Sequence, residues 1–373
     1  MESYVDELEV IQSRALPPSA RCPVNSYTEW DPLEEVIVGT IDDASFPPWS
    51  IMLQAVLPEN QHETFRRNAG QPFPPERVRA ARAELEDLVH ILEGEGVKVR
   101  RPEPLSQREP YSTLSWTSTG MYAAMPRDVL LAIGDEIIEC PLAWRSRYFE
   151  TLAYRPLLKE YFRRGARWSS APKPALTDEL YDASWIEPSD ADPQRFVITE
   201  FEPTFDAADF IRCGRDIIAQ RSNVTNEFGI KWLQRHLGDQ YQIHVFEFED
   251  RHPMHIDATL LPMAPGKLLI NPDRVPSVPK IFRGWDALCA PQPIIPDQHP
   301  LYMTSKWINM NVLSLDERRV LVERQDEPMI AAMRKWGFEP ILCNFRHFNS
   351  FGGSFHCATL DVRRRGRLQS YLI

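Results

Sequence analysis

The sequence contains no Cys-x-x-Cys pair, and its six cysteines (Cys22, Cys140, Cys213, Cys289, Cys343 and Cys357) follow no regular spacing. That pattern argues against a zinc cage and a disulfide framework, and fits reduced thiols in a cytoplasmic protein. No apolar run approaches the roughly 20 residues of a membrane span. The first residues, Met1 to Glu9, carry neither an apolar signal core nor the arginines of a transit peptide. Basic charge is also short: 42 Lys and Arg stand against 53 Asp and Glu, a formal net charge of −11. Nucleic acid and anionic lipid are therefore not expected partners, whereas a cationic substrate is.

What is present is a chain of 373 residues, 43% apolar, long enough to bury a substantial core. Residues 1–21 end in Leu16-Pro17-Pro18-Ser19-Ala20 and read as a mobile tail; residues 22–373 read as one catalytic α/β domain. Along it one idea recurs: strand, tight turn, strand, helix, glycine, strand. Glu35–Gly39 is a short strand. Pro74-Pro75 opens a helix with Val78, Ala81, Leu85, Leu88 and Leu92 on one face, stopped at Gly94 and Gly96 before a strand at Val97–Val99. Later cycles start at Gly120–Ala124 (turn Pro126-Arg127-Asp128, then Val129–Ile133), at Phe205–Phe210, at Asp257–Leu261 and at Asn311–Leu315. The repeat length varies over roughly 50–80 residues, a degenerate self-similarity. Asp128, Asp206 and Asp257 each lie beside a first strand or its turn, where a ring of units would bring them together. Pairing of a last strand near Thr359 with the strand near Val36 would close such a ring of ββαβ modules; an ordinary mixed α/β sheet fits the same pattern.

Three stretches bear on chemistry. Gly352-Gly353 marks a backbone-permissive turn just before His356-Cys357 and a short strand, a place where a thiol is presented as a nucleophile or packed in a core. In Pro253-Met254-His255-Ile256-Asp257, strand alternation would put His255 and Asp257 on one face, suited to acid–base work beside a cation. A histidine satisfied by a nearby carbonyl is the plainer alternative. Metal binding by His252 and His255 is not expected, because Pro253 rules out the helical spacing of zinc hydrolases and no third ligand suggests itself. Arg363-Arg364-Arg365 reads as a solvated face, and Trp307 and Met310 as core.

Several longer motifs then carry a resemblance. C-P-V-N-S-Y-T-E-W-D-P-L-E-E-V-I-V-G at 22–39, M-P-R-D at 125–128, A-W-R-S-R at 143–147 and A-P-K-P at 171–174 are four of them. E-P-T-F-D-A-A-D at 202–209, P-M-H-I-D-A-T at 253–259, N-P-D-R at 271–274, S-K-W at 305–307 and F-H-C-A-T-L-D-V-R-R-R-G at 355–366 complete the set. Together they resemble glycine amidinotransferase (L-arginine:glycine amidinotransferase) and its bacterial relatives, from Cys22 to the end. The resemblance implies the pentein fold, a pseudo-fivefold α/β-propeller of ββαβ modules. It implies Cys357 as nucleophile, His255 as general acid/base and Asp206 as the partner that orients it. Asp128 and Asp257 would hold the guanidinium, Arg274 the donor's α-carboxylate with Ser305 beside it, and Met254 and His252 would bind substrate from the loop 250–254, read as a lid or acceptor-side segment. The implied reaction moves the amidino group of L-arginine to a primary amine, glycine or a natural-product precursor, through an amidino-cysteine, releasing ornithine. No cofactor and no metal are called for; the expected partners are L-arginine, a small amine and a second copy of the chain in a homodimer. Two departures matter. The glycine enzyme usually has Asn where this chain has His252, which bears on the acceptor, and the mitochondrial leader of animal members is missing, which points to a bacterial member. A deiminase of the same fold, releasing citrulline, usually shows acid-Gly-Gly-Asp where this chain has Asp206-Ala207-Ala208-Asp209, which favours transfer; a non-catalytic binding propeller is the other alternative, against which the intact set of Cys, His and acids argues.

Overall fold

Short aliphatic runs broken by glycine and aspartate turns fold into short strands, and the sheets they make are correspondingly small. The structure, a computed structural model, describes residues 21–188, 192–295 and 305–372. The tail expected at 1–21 lies outside the described residues except for Arg21. Five three-stranded sheets share one plan: a middle strand pairs antiparallel with the strand before it and parallel with the strand after it. Four of them are Leu130–Ile133, Glu136–Glu139 and Arg167–Ser170; Phe210–Cys213, Asp216–Gln220 and Gln242–Phe246; Leu260–Ala264, Lys267–Ile270 and Asp286–Cys289; and Leu313–Ser314, Arg319–Glu323 and Glu339–Cys343.

The fifth sheet joins the two ends of the chain. Thr359–Arg364 pairs antiparallel with Leu33–Val38, in register Val38 with Thr359 and Val36 with Asp361, and Lys98–Arg100 adds the parallel strand. The ring therefore closes where the sequence indicates, as five separate sheets and not as one continuous barrel. Parallel strands need a crossover, and α-helices provide four of the five: Pro75–Gly94, Arg155–Arg163, Glu227–Leu237 and Glu327–Lys335. The first buries Ala81, Leu85, Leu88 and Leu92, the face read from the sequence. Ile270 reaches Asp286 without an α-helix, through a 3-10 turn at Lys280–Phe282.

The frame of three cycles differs from the expectation. Gly120–Ala124 is not a strand of a sheet; it makes one isolated bridge, Thr40 with Ala123. Pro126 starts a helical turn, Pro126–Val129, which runs into the first strand at Leu130. Proline suits the first position of a helix, where its missing N–H costs nothing, and Gly134 at φ +60° takes the hairpin turn instead. The third and fourth cycles shift the same way, with 3-10 turns at Ala207–Asp209 and Ile256–Ala258 leading into Phe210 and Leu260. Lys306–Met310 does so in the next sheet, with Trp307 and Met310 buried as expected. Neighbouring turns pack against one another, so residues at their ends converge.

Beneath this convergence lies a buried ion network, and it corrects the reading of Arg363-Arg364-Arg365 as a solvated face. Arg364 is wholly buried: Nε donates to Asp361 Oδ2 at 2.7 Å, Nη1 to the Asp31 carbonyl at 2.6 Å and Nη2 to the Ser314 carbonyl at 2.8 Å. Strand alternation sends Arg364 and its neighbours to opposite faces. Asp361 also accepts from Arg127 (2.6 Å) and Arg212 (2.7 Å), and Glu29 accepts from Arg212 (2.6 Å). Arg364→Ala should cost roughly 3–5 kcal/mol of unfolding free energy by leaving buried acceptors uncompensated. Arg365→Ala, on an exposed side chain, should stay within about 0.5 kcal/mol. Equal urea midpoints for the two variants would contradict the network's structural role.

Candidate active site

The thiol is placed by a turn that only glycine allows. Gly352 sits at φ +98°. A Cβ on Gly353 would lie 2.7 Å from Cys357 Cβ and from Met125 Sδ, so the chain there can pass the Cys357 side chain only without one of its own. Asn311 then pins the turn: its Oδ1 accepts from the Ser354 and Cys357 amides, both at 3.0 Å. Its Nδ2 donates to Asp257 Oδ2 at 2.7 Å and to Cys357 Sγ at 3.2 Å. The thiol also approaches Asp257 Oδ2 at 3.5 Å.

His255 reaches the same place by a kink and not by strand alternation. Its φ is +61°, a left-handed conformation rare for a residue with a Cβ, and a 3-10 turn follows at once. The ring lies between two carboxylates: Nε2 is 3.1 Å from Asp206 Oδ2 and Nδ1 is 3.7 Å from Asp128 Oδ1. Donor atoms of Asp128, His255 and Cys357 all fall within 4.8 Å of one another. Asp128 Oδ2 is held by Arg147 at 2.7 Å, and Arg147 is itself fixed by Glu150 at 2.6 Å. Asp128 Oδ1 is buried with no hydrogen-bond partner, an acceptor turned toward the imidazole.

A cavity of about 240 Å³ opens onto the sulfur. Seven of the nine residues singled out from the sequence line it: Cys357, His255, Asp257, Met254, His252, Arg274 and Ser305. Asp128 borders a small adjoining cavity with His255 and Met254, and Asp206 lies behind the imidazole. Arg274 pairs with Asp250 (Nε–Oδ2 3.0 Å) on the cavity wall, and Ser305 caps the turn that carries Trp307. His252 ties three segments together, with Nδ1 3.1 Å from the Ala55 carbonyl and Nε2 2.8 Å from Glu187 Oε1. Sequence reasoning missed Asn311, Arg147 and His356, and took Asp250 only as part of the 250–254 loop. Asn311 ends the helical turn before the Leu313–Ser314 strand, as Asp257 lies in that before Leu260–Ala264; reading that turn as the repeated unit would have found it. Arg147 lay within a quoted motif without a role.

Electrostatics sort the groups. Burial pushes the Cys357 thiol up to about 12, Asp257 and Asp128 add to that, and His255 opposes it. Burial also works against a charge on His255, yet Asp128, Asp206 and Cys357 together hold it well above the ordinary imidazole range. Asp257 is held below the usual carboxylate range: burial would raise it, but hydrogen bonding and charge from His356 outweigh that. The ligand-free centre thus pairs a protonated imidazole with a neutral thiol. Asp128, His255 and Cys357 are also near enough to share a metal ion.

A cysteine, an imidazole beside a buried carboxylate, and further carboxylates at one cavity in a pentein ring are the groups that guanidine chemistry calls for. No protein-family model matches the chain. It is 70% identical over 351 residues, 94% of its length and 97% of the relative's, to the L-arginine:L-lysine amidinotransferase of Pseudomonas savastanoi pv. phaseolicola. It is 52% identical over 358 residues, 94% of its length and 85% of the relative's, to the mitochondrial glycine amidinotransferase of Xenopus tropicalis. Among solved structures, an amidinotransferase of saxitoxin biosynthesis from Microseira wollei superposes with a TM-score of 0.91 at 54% identity, covering 94% of this chain and 100% of that one. The chain belongs to the glycine amidinotransferase family and is an amidinotransferase.

Proposed function

We propose that the chain transfers the amidino group of L-arginine to the side-chain amine of a second α-amino acid, with L-lysine the leading acceptor, in a ping-pong cycle. The observation that carries this reading is the placement of the Cys357 sulfur beside His255 and Asp257 in a cavity whose wall holds the Arg274–Asp250 pair. A guanidinium is planar with donors in a fixed fork, so Asp128 and Asp257 orient its carbon toward sulfur. The cation that enters also favours the thiolate, and one proton leaves with its arrival. Sulfur attacks the guanidine carbon, forming a C–S bond. As the tetrahedral centre collapses, the C–N bond to the arginine side chain breaks, its electron pair goes to that nitrogen, and His255 protonates it. Ornithine departs and an amidino-cysteine remains. The acceptor amine gives its proton to His255, attacks the same carbon and expels the thiolate. Water must be kept from the waiting intermediate, a task suited to the 250–254 segment that His252 ties down.

The acceptor follows from the head group. Arg274 with Asp250 offers a cation and an anion, a match for the carboxylate and ammonium of an α-amino acid, and ornithine vacates that match when it leaves. Lysine presents the same head on an arm one methylene longer than ornithine. Glycine carries its amine on the head itself and has no side-chain arm to extend from Arg274 toward the sulfur. The relative 70% identical to this chain is named for lysine, and His252 with Glu187 gives this rim its own chemistry. Six free thiols agree with a cytoplasmic setting, and no helix among the described residues is long and apolar enough to cross a membrane. The test offers the amidino-enzyme a panel of amines. Lysine should discharge it at least about tenfold faster than glycine, a difference of one lost charged contact or more. Glycine discharging it as fast as lysine would overturn the acceptor assignment.

A further inference from the structure

Next to the nucleophile in sequence stands a second buried imidazole, that of His356, 2% exposed. Its backbone is locked: the carbonyl accepts from Arg127 Nε at 2.7 Å, and the amide donates to the Asn311 carbonyl at 3.3 Å. Its side chain bridges two acids, with Nδ1 2.8 Å from Asp257 Oδ2 and Nε2 3.1 Å from Glu29 Oε2. Neither acid has a proton to give. Glu29 Oε1 already accepts from the Arg212 amide (3.0 Å) and Nε (2.8 Å), and its Oε2 from Arg212 Nη2 (2.6 Å) and Arg127 Nη1 (3.4 Å). Asp257 Oδ2 accepts from Asn311. A carboxylate oxygen opposite each ring nitrogen requires an N–H on each, so the ring is an imidazolium, and Asp257, Glu29 and Arg127 are the charged groups that face it.

We infer that His356 is a positioning residue for the transfer reaction: a fixed cation that turns Asp257 toward the guanidinium and joins the reacting centre to the buried ion pairs below it. Two consequences follow from the geometry. With His356 and Asn311 both donating to Oδ2, that oxygen is occupied and Oδ1 is left for the substrate fork. Oδ2 is also the atom 3.5 Å from the sulfur, so the imidazolium offsets the carboxylate charge that opposes the thiolate. His356 touches neither substrate nor sulfur in this scheme; it acts through Asp257, and the inference rests on the reading of Cys357 and Asp257 given above.

The experiment has a wild-type arm and a variant arm. In the wild-type enzyme with ¹⁵N-labelled histidine, a second ring besides that of His255 should carry protons on both nitrogens over the neutral pH range, and that second signal should vanish in His356→Asn. A ring that is neutral across this range overturns the inference whether or not the variants fold. Among folded variants, His356→Gln should raise KM for arginine about tenfold, the loss of a hydrogen bond to a charged group. His356→Asn places an amide N–H near the site of Nδ1–H, so it should recover most of that KM. It should still alkylate more slowly at Cys357, because the charge is gone. A merely structural histidine would lower the yield of folded protein and move neither KM nor the alkylation profile, and that result overturns the inference. Turnover by Cys357→Ser would instead remove the reading on which it rests.

Discussion

Cys357→Ser should abolish ornithine release from L-arginine, with a fall in kcat of at least about 10⁴-fold, in the range seen when a covalent nucleophile is removed. A hydroxyl is too weakly acidic to be ionised by the neighbours that assist a thiol, and without the C–S bond no amidino-enzyme accumulates. Because Asn311 and Gly353 fix the backbone of this turn independently of the sulfur, the variant should fold and bind arginine. Cys213→Ser and Cys289→Ser provide the contrast. Cys213 is buried in a strand and Cys289 is exposed, and neither lines the cavity at His255. Both variants should keep turnover within about threefold, a surface-like or packing effect only. The check is single-turnover ornithine release together with the mass of the protein after mixing with arginine. Equal behaviour of the three variants, or a Cys357→Ser enzyme retaining more than about a hundredth of the activity, assigns the nucleophile elsewhere.

His255→Asn should lower kcat by roughly 10²–10⁴-fold, the usual contribution of one acid–base group, and both half-reactions should suffer because the same ring gives and then takes the proton. The pH dependence provides a second readout. Only the thiolate alkylates, and the free thiol is pushed up to about 12. Inactivation of the ligand-free enzyme by iodoacetamide should therefore be slow at neutral pH and rise about tenfold per pH unit below that value. The sign for the variant follows from the neighbours: His255 lowers the thiol while Asp257 and Asp128 raise it. Removing the imidazolium leaves the carboxylates unopposed, so the alkylation curve of His255→Asn should move to higher pH. A curve moving to lower pH would mean that the ring does not favour the thiolate.

Much of the site was legible because its chemistry is concentrated in residues of distinctive type. Cys357, His255 with Asp257, Arg274 and Ser305 stand in four separate motifs, and the structure brings them to one cavity. What escaped was what looks ordinary in a string of letters. Asn311 resembles a turn residue until its amide is seen holding Asp257 and Cys357 together. His356 is overshadowed by the cysteine that follows it, and only Glu29, far away in sequence, completes the pair of acids between which its ring lies. The frame of the second, third and fourth cycles slipped for a local reason. Strands of four or five residues are too short for periodicity to separate them from the helical turn in front, as at Pro126–Val129.

The alternation of short strands, turns and helices and the side-chain types fit for the chemistry are local properties that propensity and turn residues write into the sequence; the pairing of the Thr359 strand with the Val36 strand joins opposite ends of the chain and is not local. Which arginine of Arg363-Arg364-Arg365 is buried, how His255 turns its ring between Asp206 and Asp128, and which acids face His356 were decided only in the tertiary structure. Those outcomes depend on segments from all five sheets meeting at one centre. There, burial removes water as a partner, and each charge must take its partner from a distant part of the chain.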